Sequence, residues 1–213
     1  MLQRFHKRSK WFYILLALVI NSYYPPAIAY SKTILVFGDS LSAGYGIERG
    51  QEWPNLLQKR LAEERLPYTV INHSISGETS SGGLSRFKQS LEQAKPDLVV
   101  LELGANDGLR GLSPKAMRQN LQSMIDMARE RDIQVVLVGM HLPSNYGEAY
   151  TTLFHQQFVQ LARQNQLPFV PFLMDRLGAG LKMYQSDGLH PTAGAQPQMM
   201  DNVWQVLEPV LRP

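Results

Sequence analysis

Residues 33–41 read TILVFGDSL, an apolar run of five residues that leads directly into the turn-forming sequence Gly38-Asp39-Ser40. Four further apolar runs of strand length follow along the chain, at residues 68–72, 97–103, 133–139 and, more weakly, 168–170. These runs are almost wholly apolar and do not alternate, which is typical of strands in a parallel sheet that is covered on both faces. Residues 33–41 therefore predict a buried strand that ends in a polar loop.

Longer amphipathic stretches separate the apolar runs. They lie at residues 53–64, 83–94, 114–131, 151–166 and about 191–211. Strands and helices thus alternate strictly, and such a chain folds through right-handed βαβ crossovers. The sequence predicts one α/β domain of three layers, with a parallel sheet and helices on both faces. Sheets of this kind bind ligands in the crevice beyond the carboxyl ends of their strands.

The first 29 residues differ from the rest of the chain. Four Lys or Arg residues between positions 4 and 10 precede ten apolar residues at 11–20, and Ala27-Ile28-Ala29 follows. This is the three-part pattern of a secretory signal peptide, with cleavage expected after Ala29. A membrane anchor is the alternative, but a helix of that length reaches only about 15 Å against a hydrocarbon core of about 30 Å. We therefore expect a leader at 1–29, a single domain at 30–213, a periplasmic or secreted location, and no stable membrane anchor after cleavage.

The composition excludes several classes of function. The chain has 21 Lys or Arg against 18 Asp or Glu, and removal of the four basic leader residues leaves 17 against 18. With no basic excess in the mature domain, we expect no binding to nucleic acid. The absence of cysteine excludes disulfides, thiolate metal sites and a cysteine nucleophile. No His or carboxylate pair has metal-ligand spacing with a third partner nearby, so no metal is expected, and nothing in the sequence demands more than a monomer.

One glycine pattern comes close to a dinucleotide-binding fingerprint. Gly44, Gly46 and Gly50 follow the first predicted strand, but their spacing is wrong by one residue. Asn72 and His73 stand where an acidic residue would end the second strand. We therefore expect no nucleotide cofactor, and no cofactor of any other kind.

Polar, glycine-bearing loops follow the first three predicted strands. They read GDSL at 38–41, SGET at 76–79 and GAND at 104–107. Each loop alone is typical of an ordinary turn. Because the carboxyl ends of parallel strands meet at one edge of the sheet, we expect the three loops to converge there.

A fourth polar segment, DGLHP at 187–191, precedes the last predicted helix. Asp187 and His190 are three residues apart on a tight turn, so the carboxylate can orient the imidazole and leave its other nitrogen free as a base. Gly188 permits the bend, and Pro191 suits the first position of the following helix.

The other histidines lack an acidic residue at this spacing. His6 lies in the leader, and His73, His141 and His155 are expected at ordinary surface or core positions. His73 and His141 each follow a predicted strand, which places both near the border of the crevice.

Taken together, the four polar segments resemble the SGNH, or GDSL-type, hydrolases. They contain the blocks of that family in its order, namely GDSLS at 38–42, Gly77, G-x-N-D at 104–107 and D-x-x-H at 187–190. The flanking residues are similar to a subgroup of exported bacterial arylesterases, acyl-CoA thioesterases and lysophospholipases. The resemblance runs from about Thr33 to the C-terminus. It implies a flavodoxin-like sheet of five parallel strands, and the one departure is Ala105, where the subgroup often has a second glycine.

The resemblance also implies the roles of these residues. Ser40 is the expected nucleophile, His190 its base, and Asp187 the acid that holds the imidazole. The expected oxyanion hole consists of the backbone N–H groups of Ser40 and Gly77 and the side-chain amide of Asn106. The implied substrates are small acyl esters, acyl thioesters or lysophospholipids.

Two other acids and one loop complete the predicted site. Asp39 and Asp107 adjoin functional positions, where a carboxylate opposes the charge of an oxyanion, so we expect them to hold the loops by accepting backbone hydrogen bonds. In the resembled family, the loop after the fourth strand lines the acyl groove, which implies substrate contacts for Leu142, Pro143 and Tyr146. An apolar loop that simply packs on the sheet is the alternative.

Two other functions stay open from the sequence. The first is a carbohydrate O-acetyl esterase of the same family. The second is a binding protein that has kept the fold without activity, although the intact set of Ser, Gly, Asn and His speaks against it.

Overall fold

The computed structural model of the protein describes residues 31–178 and 182–212. The expected leader and its cleavage site lie outside the described residues. Within these ranges, no helix has the length and apolar character needed to cross a membrane.

The described residues contain one sheet of five parallel strands in the order β2-β1-β3-β4-β5. The strands are β1 Lys32–Gly38, β2 Tyr68–Asn72, β3 Leu98–Glu102, β4 Gln134–Val138 and β5 Phe169–Val170. This is the flavodoxin-like order, and it confirms the predicted fold class. The order reverses between β1 and β3, so the crevice for a ligand lies at the carboxyl ends of these two strands.

The register of the central strands places two predicted loops at the same height. Gly38 at the end of β1 pairs with Glu102 at the end of β3. The loops that begin at Asp39 and Leu103 therefore leave the sheet side by side. Residues 34–37 of β1 are fully buried, which fits a strand with neighbours on both sides and helices on both faces.

Helices cover the two faces of the sheet. They are α1 Ser40–Ala43, α2 Trp53–Glu63, α3 Ser80–Ala94, α4 Ala105–Leu109, α5 Pro114–Arg129, α6 Glu148–Asn165 and α7 Gln196–Leu211, with 3₁₀ turns at Ser144–Tyr146 and Ala193–Ala195. Right-handed crossovers place α2 on one face and α3, α5 and α6 on the other, because the chain crosses the sheet in opposite directions. Helix α7 packs against α2 and so shares its face.

Buried aromatic side chains connect the helices to the sheet. On one face, Phe37 of β1 meets Phe87 of α3 edge to face, with ring centroids 4.9 Å apart. On the other face, Trp53 of α2 is fully buried, and its backbone N–H donates to Gln196 Oε1 of α7 over 3.0 Å. This hydrogen bond ties the first turn of α2 to α7.

Three details differ from the expectations. The last helix begins at Gln196, and Pro191 instead forms an isolated antiparallel bridge with Tyr184. Strand β2 is only half buried along its length because it is the edge of the sheet, so full coverage was wrong for this strand. The short helices α1 and α4 stand where the sequence predicted simple turns.

Candidate active site

Ser40 lies at the first position of α1, directly beyond the carboxyl end of β1. Asp39 caps this helix, because its Oδ1 accepts a hydrogen bond from the Leu41 N–H over 3.1 Å. Gly44 ends the helix after one turn with a left-handed φ of +73°, which glycine adopts without strain. The Ser40 N–H belongs to the first turn, where backbone N–H groups have no acceptor within the helix. The sequence thus places a hydroxyl and a free donor together at the sheet edge.

The side chains of Ser40, His190 and Asp187 form a continuous hydrogen-bonded chain. His190 Nε2 is 3.0 Å from Ser40 Oγ, and His190 Nδ1 is 2.6 Å from Asp187 Oδ2. A carboxylate only accepts hydrogen bonds, so Nδ1 carries the proton and Nε2 is left free to accept the Ser40 hydroxyl. The three residues that the sequence singled out therefore come together, although Ser40 and His190 are 150 positions apart in the chain.

Asp187 also holds the loop that carries His190. Its Oδ1 accepts hydrogen bonds from the backbone N–H groups of Leu189 and His190, each over 2.9 Å. The backbone N–H of His190, the His190 ring and the Leu189 N–H lower the pKa of Asp187 to about 2. Gly188 makes the bend with a φ of +68°, as expected. Asp187 is therefore a carboxylate at any pH near neutrality.

A second set of contacts joins this histidine loop, residues 184–191, to the segment that follows Ser40. Gln185 Nε2 donates to Tyr45 O over 2.8 Å and to Pro191 O over 3.0 Å. The backbone N–H of Gln185 donates to His190 O over 2.8 Å. A Cβ at Gly46 would meet Gln185 Oε1, so a larger residue there would push this amide aside, and the φ of +73° at Gly46 itself favours glycine. The sequence reasoning missed Gln185, since no local pattern marks a contact between residues 140 positions apart.

The loops after β2 and β3 bring Gly77 and Asn106 to the same edge. Asn106 Nδ2 donates to Asp39 Oδ2 over 3.1 Å, which fixes the amide beside the nucleophile loop. Gly77 has a φ of +78°, and its carbonyl accepts a hydrogen bond from Arg110 Nη2 over 2.9 Å. Arg110 lies one residue beyond α4, so the helix that carries Asn106 also orients the peptide at Gly77.

Asp107 connects α4 to the helix that follows Gly77. Its two oxygens accept hydrogen bonds from the Ser80 N–H over 2.7 Å and the Ser80 hydroxyl over 2.6 Å, and Asn120 Nδ2 donates to the same hydroxyl over 3.0 Å. Asp39 and Asp107 thus both accept hydrogen bonds from backbone N–H groups, as expected, in the first turns of α1 and α3, while the His190 ring bonds to Asp187.

A buried carboxyl pair lies directly beneath the nucleophile loop. Glu102 Oε2 accepts hydrogen bonds from the Ser42 hydroxyl over 2.6 Å and from the Asp39 N–H over 3.3 Å. Burial, and then the neighbouring Asp39 charge, raises the pKa of Glu102 well above its usual value. Burial also raises the pKa of Asp39 to about 7. Sequence reasoning did not single out Glu102, although an acid that ends a buried apolar strand was a visible signal.

The other described histidines take no part in this chain of hydrogen bonds. The backbone N–H of His73 donates to Val36 O, and burial followed by the charge of Arg86 lowers the pKa of its ring. The ring of His141 stacks on that of His155 with centroids 3.7 Å apart. Burial, followed by His155, lowers the pKa of His141, and such burial favours the neutral form.

The loop after β4 packs against α4, the helix of Asn106. Leu142 is buried and occupies the space beside Gly108, where a Cβ would meet its methyl groups. Tyr146 donates its hydroxyl to Leu109 O over 2.9 Å, and Pro143 is exposed. For Leu142, the structure matches the alternative of an apolar residue packed inward, and substrate contact at this loop stays a prediction.

Within residues 31–178 and 182–212, no three His, Cys, Asp or Glu side chains are grouped in a way that could hold a metal ion.

Residues 36–196 match the model of the GDSL-like Lipase/Acylhydrolase family, and this range contains the four blocks and the side chains just described. The chain belongs to this family. Among curated relatives of this GDSL-like chain, Esterase TesA of Pseudomonas aeruginosa is 48% identical over 183 residues, which cover 86% of this chain and 91% of the relative. Arylesterase of Vibrio mimicus is 42% identical, over 91% of this chain and 96% of its own. Thioesterase 1/protease 1/lysophospholipase L1 of Escherichia coli K12 is 34% identical, over 99% of this chain and 98% of the relative.

Solved structures of the family superpose closely on this GDSL-like chain. The crystal structure of TesA gives a TM-score of 0.82 at 47% identity and covers 84% of this chain and 99% of its own. The psychrotrophic esterase EstA from Pseudoalteromonas sp., inhibited by monoethylphosphonate, gives 0.81 at 37% identity and covers 85% and 100%.

Proposed function

We propose that this chain is a serine hydrolase that cleaves acyl esters and thioesters through an acyl-enzyme on Ser40. The observation that carries the proposal is the hydrogen-bonded chain from Asp187 through His190 to Ser40, with distances of 2.6 and 3.0 Å. Nucleophile, base and orienting acid within hydrogen-bond reach are the diagnostic geometry of such a triad. The names of the relatives, an esterase, an arylesterase and a thioesterase/lysophospholipase, support the same reaction class.

Acylation begins when Ser40 Oγ attacks the carbonyl carbon of the substrate. The Ser40 proton moves to His190 Nε2 as the new C–O bond forms, and Asp187 stabilises the resulting imidazolium. The imidazolium then donates the proton to the leaving oxygen or sulfur, and the bond from that atom to the acyl carbon breaks. The alcohol or thiol departs, and the acyl group stays on Ser40 as an ester.

The tetrahedral intermediates carry a negative oxygen, which needs donors already in position. The backbone N–H of Ser40, the backbone N–H of Gly77 and the amide of Asn106 are assigned to this task. The hydrogen bond from Asn106 to Asp39 holds the amide, and that from Arg110 to the Gly77 carbonyl holds the peptide that follows the Gly77 N–H. Preorganised donors of this kind contribute about 2.7–4 kcal/mol each to transition-state stabilisation.

Deacylation repeats the same steps with water. His190 takes a proton from a water molecule as it attacks the acyl carbon, and the proton then returns to Ser40 Oγ when the acyl–serine bond breaks. Each cycle releases one carboxylic acid and restores the free serine.

A hydrolysis panel tests this function. Wild-type enzyme and Ser40→Ala are assayed side by side on aryl esters, acyl-CoA, lysophospholipid and an acetylated polysaccharide. We expect the wild type to hydrolyse aryl esters and acyl thioesters, and Ser40→Ala to have no activity above background. Equal activity of the two proteins would contradict the role of Ser40. Turnover of the polysaccharide alone would favour a carbohydrate O-acetyl esterase, and turnover of none would favour a binding protein.

We also propose that the protein is exported and that its leader, residues 1–29, is removed after Ala29. The order of basic residues, apolar run and Ala-Ile-Ala supports this assignment. The mass of the protein isolated from the periplasm or medium of an expressing bacterium measures the cleavage directly. A mass that corresponds to a start at Tyr30 is expected, and a full-length mass in the membrane fraction would contradict it.

A further inference from the structure

An exposed tyrosine packs on the ring of the catalytic histidine. The rings of Tyr45 and His190 have centroids 4.5 Å apart and planes inclined by 43°. The distance lies at the close end of the range for interacting aromatic pairs. The side chain of Tyr45 is nevertheless 52% exposed, and so an aromatic surface borders the site and is open to solvent.

The backbone on either side of this ring has a defined course. Gly44 and Gly46, on either side, both have a φ of +73°, which gives the segment a tight and defined course. The carbonyl of Tyr45 accepts the 2.8 Å hydrogen bond from Gln185. The backbone beneath the ring is therefore fixed, and the ring itself rests on His190. Part of its conformational entropy is lost before a ligand arrives, which favours binding.

The proposed mechanism requires the leaving group to pass this surface. The leaving oxygen must come within hydrogen-bond reach of His190 Nε2, since that nitrogen returns the proton to it. The group attached to this oxygen then lies against the side chains that flank the imidazole. Tyr45 is one of them, because its ring centroid is 4.5 Å from that of His190. The oxyanion donors Gly77 and Asn106 come from the loops after β2 and β3, the two strands that flank β1.

We propose that Tyr45 is the binding surface for the alcohol part of the ester and that it favours flat, aromatic alcohols. This inference rests on the proposed function, because it assigns Tyr45 to the leaving-group side of the same site. An aromatic ring pair adds stabilisation beyond that of the buried area alone. This addition corresponds to a factor between about two and ten in kcat/KM. The preference acts on acylation only, because the alcohol has left before deacylation begins.

Two esters of the same acid test the proposal. Phenyl butyrate and trifluoroethyl butyrate give the same butyryl-enzyme, but only the first has an aromatic alcohol. For each enzyme, the ratio of kcat/KM for the two esters is measured, which cancels the fraction of active protein. In Tyr45→Leu we expect this ratio to fall between about twofold and tenfold, whereas Tyr45→Phe keeps the ring and the wild-type ratio. Val159→Ala, at an exposed position of α6, is the control that leaves the ratio unchanged.

The outcomes distinguish a failure of the Tyr45 proposal from a failure of the hydrolase function. An equal loss on both esters in Tyr45→Leu would mean that Tyr45 only positions His190, and no loss on either would mean that the ring contacts nothing in the transition state. Both results overturn the leaving-group surface while the hydrolase function stands. If the wild type hydrolyses neither ester and Ser40 takes no acyl group, the proposed function itself fails.

Discussion

A serine hydroxyl is a weak nucleophile at neutral pH, and its reactivity at Ser40 depends on a few neighbouring atoms. His190 Nε2 lies 3.0 Å from the hydroxyl with its lone pair free, because the proton of the ring is on Nδ1, which donates a hydrogen bond to Asp187. The lowered pKa of Asp187, about 2, means that the acid keeps its charge as the pH falls through the range in which an imidazole is protonated. A loss of activity between neutral and mildly acid pH therefore does not come from protonation of Asp187.

Replacement of the orienting acid tests this assignment. In Asp187→Asn the amide presents a donor or a weaker acceptor to Nδ1, so the imidazole loses its preferred tautomer and the imidazolium loses its counter-charge. We expect kcat to fall on the order of 10³- to 10⁴-fold with little change in KM. Steady-state kinetics on an aryl ester measure the effect, and Asp201→Asn at an exposed position of α7 is the matched control. A loss below tenfold would show that Asp187 does not have this role.

The amide of Asn106 is tested in the same assay. Asn106→Ala removes a donor that is held by Asp39 but leaves α4 and its contacts in place, so the protein stays folded. We expect kcat to fall roughly 10²- to 10³-fold and the thermal midpoint to stay close to that of the wild type. Asn55→Ala, whose amide donates to Glu52 at the start of α2, is the control. Near-normal turnover in Asn106→Ala would remove Asn106 from the oxyanion hole.

At the scale of elements, the histidine loop is held by hydrogen bonds more than by packing. Asp187, Gly188 and Leu189 are exposed, so few apolar contacts fix this part of the chain. Gln185 joins the loop to the segment after Ser40 through Tyr45 O and closes it through Pro191 O. The position of the imidazole relative to the hydroxyl thus depends on this amide as well as on Asp187.

Removal of that amide is expected to misplace the base. Gln185→Leu keeps the size of the side chain but loses both hydrogen bonds. Because a displacement of about 1 Å at a reacting group costs up to about 10² in rate, we expect kcat to fall between about tenfold and a hundredfold while KM changes little. Gln51→Leu at an exposed position is the control. A change confined to KM, or wild-type kcat, would contradict the positioning role.

The elements that sequence predicted best are those whose signal is local. The bounds of β2 agree to the residue, and those of β1, β3 and β4 agree within one or two, since each is a short apolar run between polar residues. The start of α7 was predicted too early because Pro191 suits a first helical position. In the structure, Pro191 instead forms the bridge with Tyr184. Gln185 and Tyr45 were missed because their contacts join distant parts of the chain and leave no trace in local periodicity. Glu102 was visible as an acid at the end of an apolar strand, but its partner Ser42 lies 60 positions away.

At the scale of the whole molecule, a buried acid under the active site couples stability to pH. Burial holds the pKa of Glu102 well above its value in the unfolded chain, which is about 4.3. Between these two values the folded protein keeps a proton that the unfolded chain has lost. The free energy of unfolding therefore falls as pH rises through this window, by at most about 1.4 kcal/mol per pH unit for this group.

Replacement of the buried acid by its amide tests this coupling. Glu102→Gln keeps an oxygen to accept from Ser42 and Asp39 but cannot ionise. As the pH rises above about 4.3, we expect the free energy of unfolding of the variant to fall less steeply than that of the wild type. The slope that remains includes the contributions of Asp39, His73 and His141, whose pKa values are also shifted. Urea titrations at several pH values give the slopes, with the exposed Glu63→Gln as control. Parallel slopes in the wild type and Glu102→Gln would show that Glu102 is not held protonated.

The most direct test of the whole account is to trap the acyl group on the protein. The enzyme is mixed with phenyl butyrate, quenched in acid within the first turnovers, digested and mapped by mass spectrometry. The account predicts a butyryl group on the peptide that contains Ser40, absent from Ser40→Ala and formed far more slowly by the His190→Ala variant. Ester hydrolysis with no acyl group on Ser40, or with the group on another residue, would contradict it.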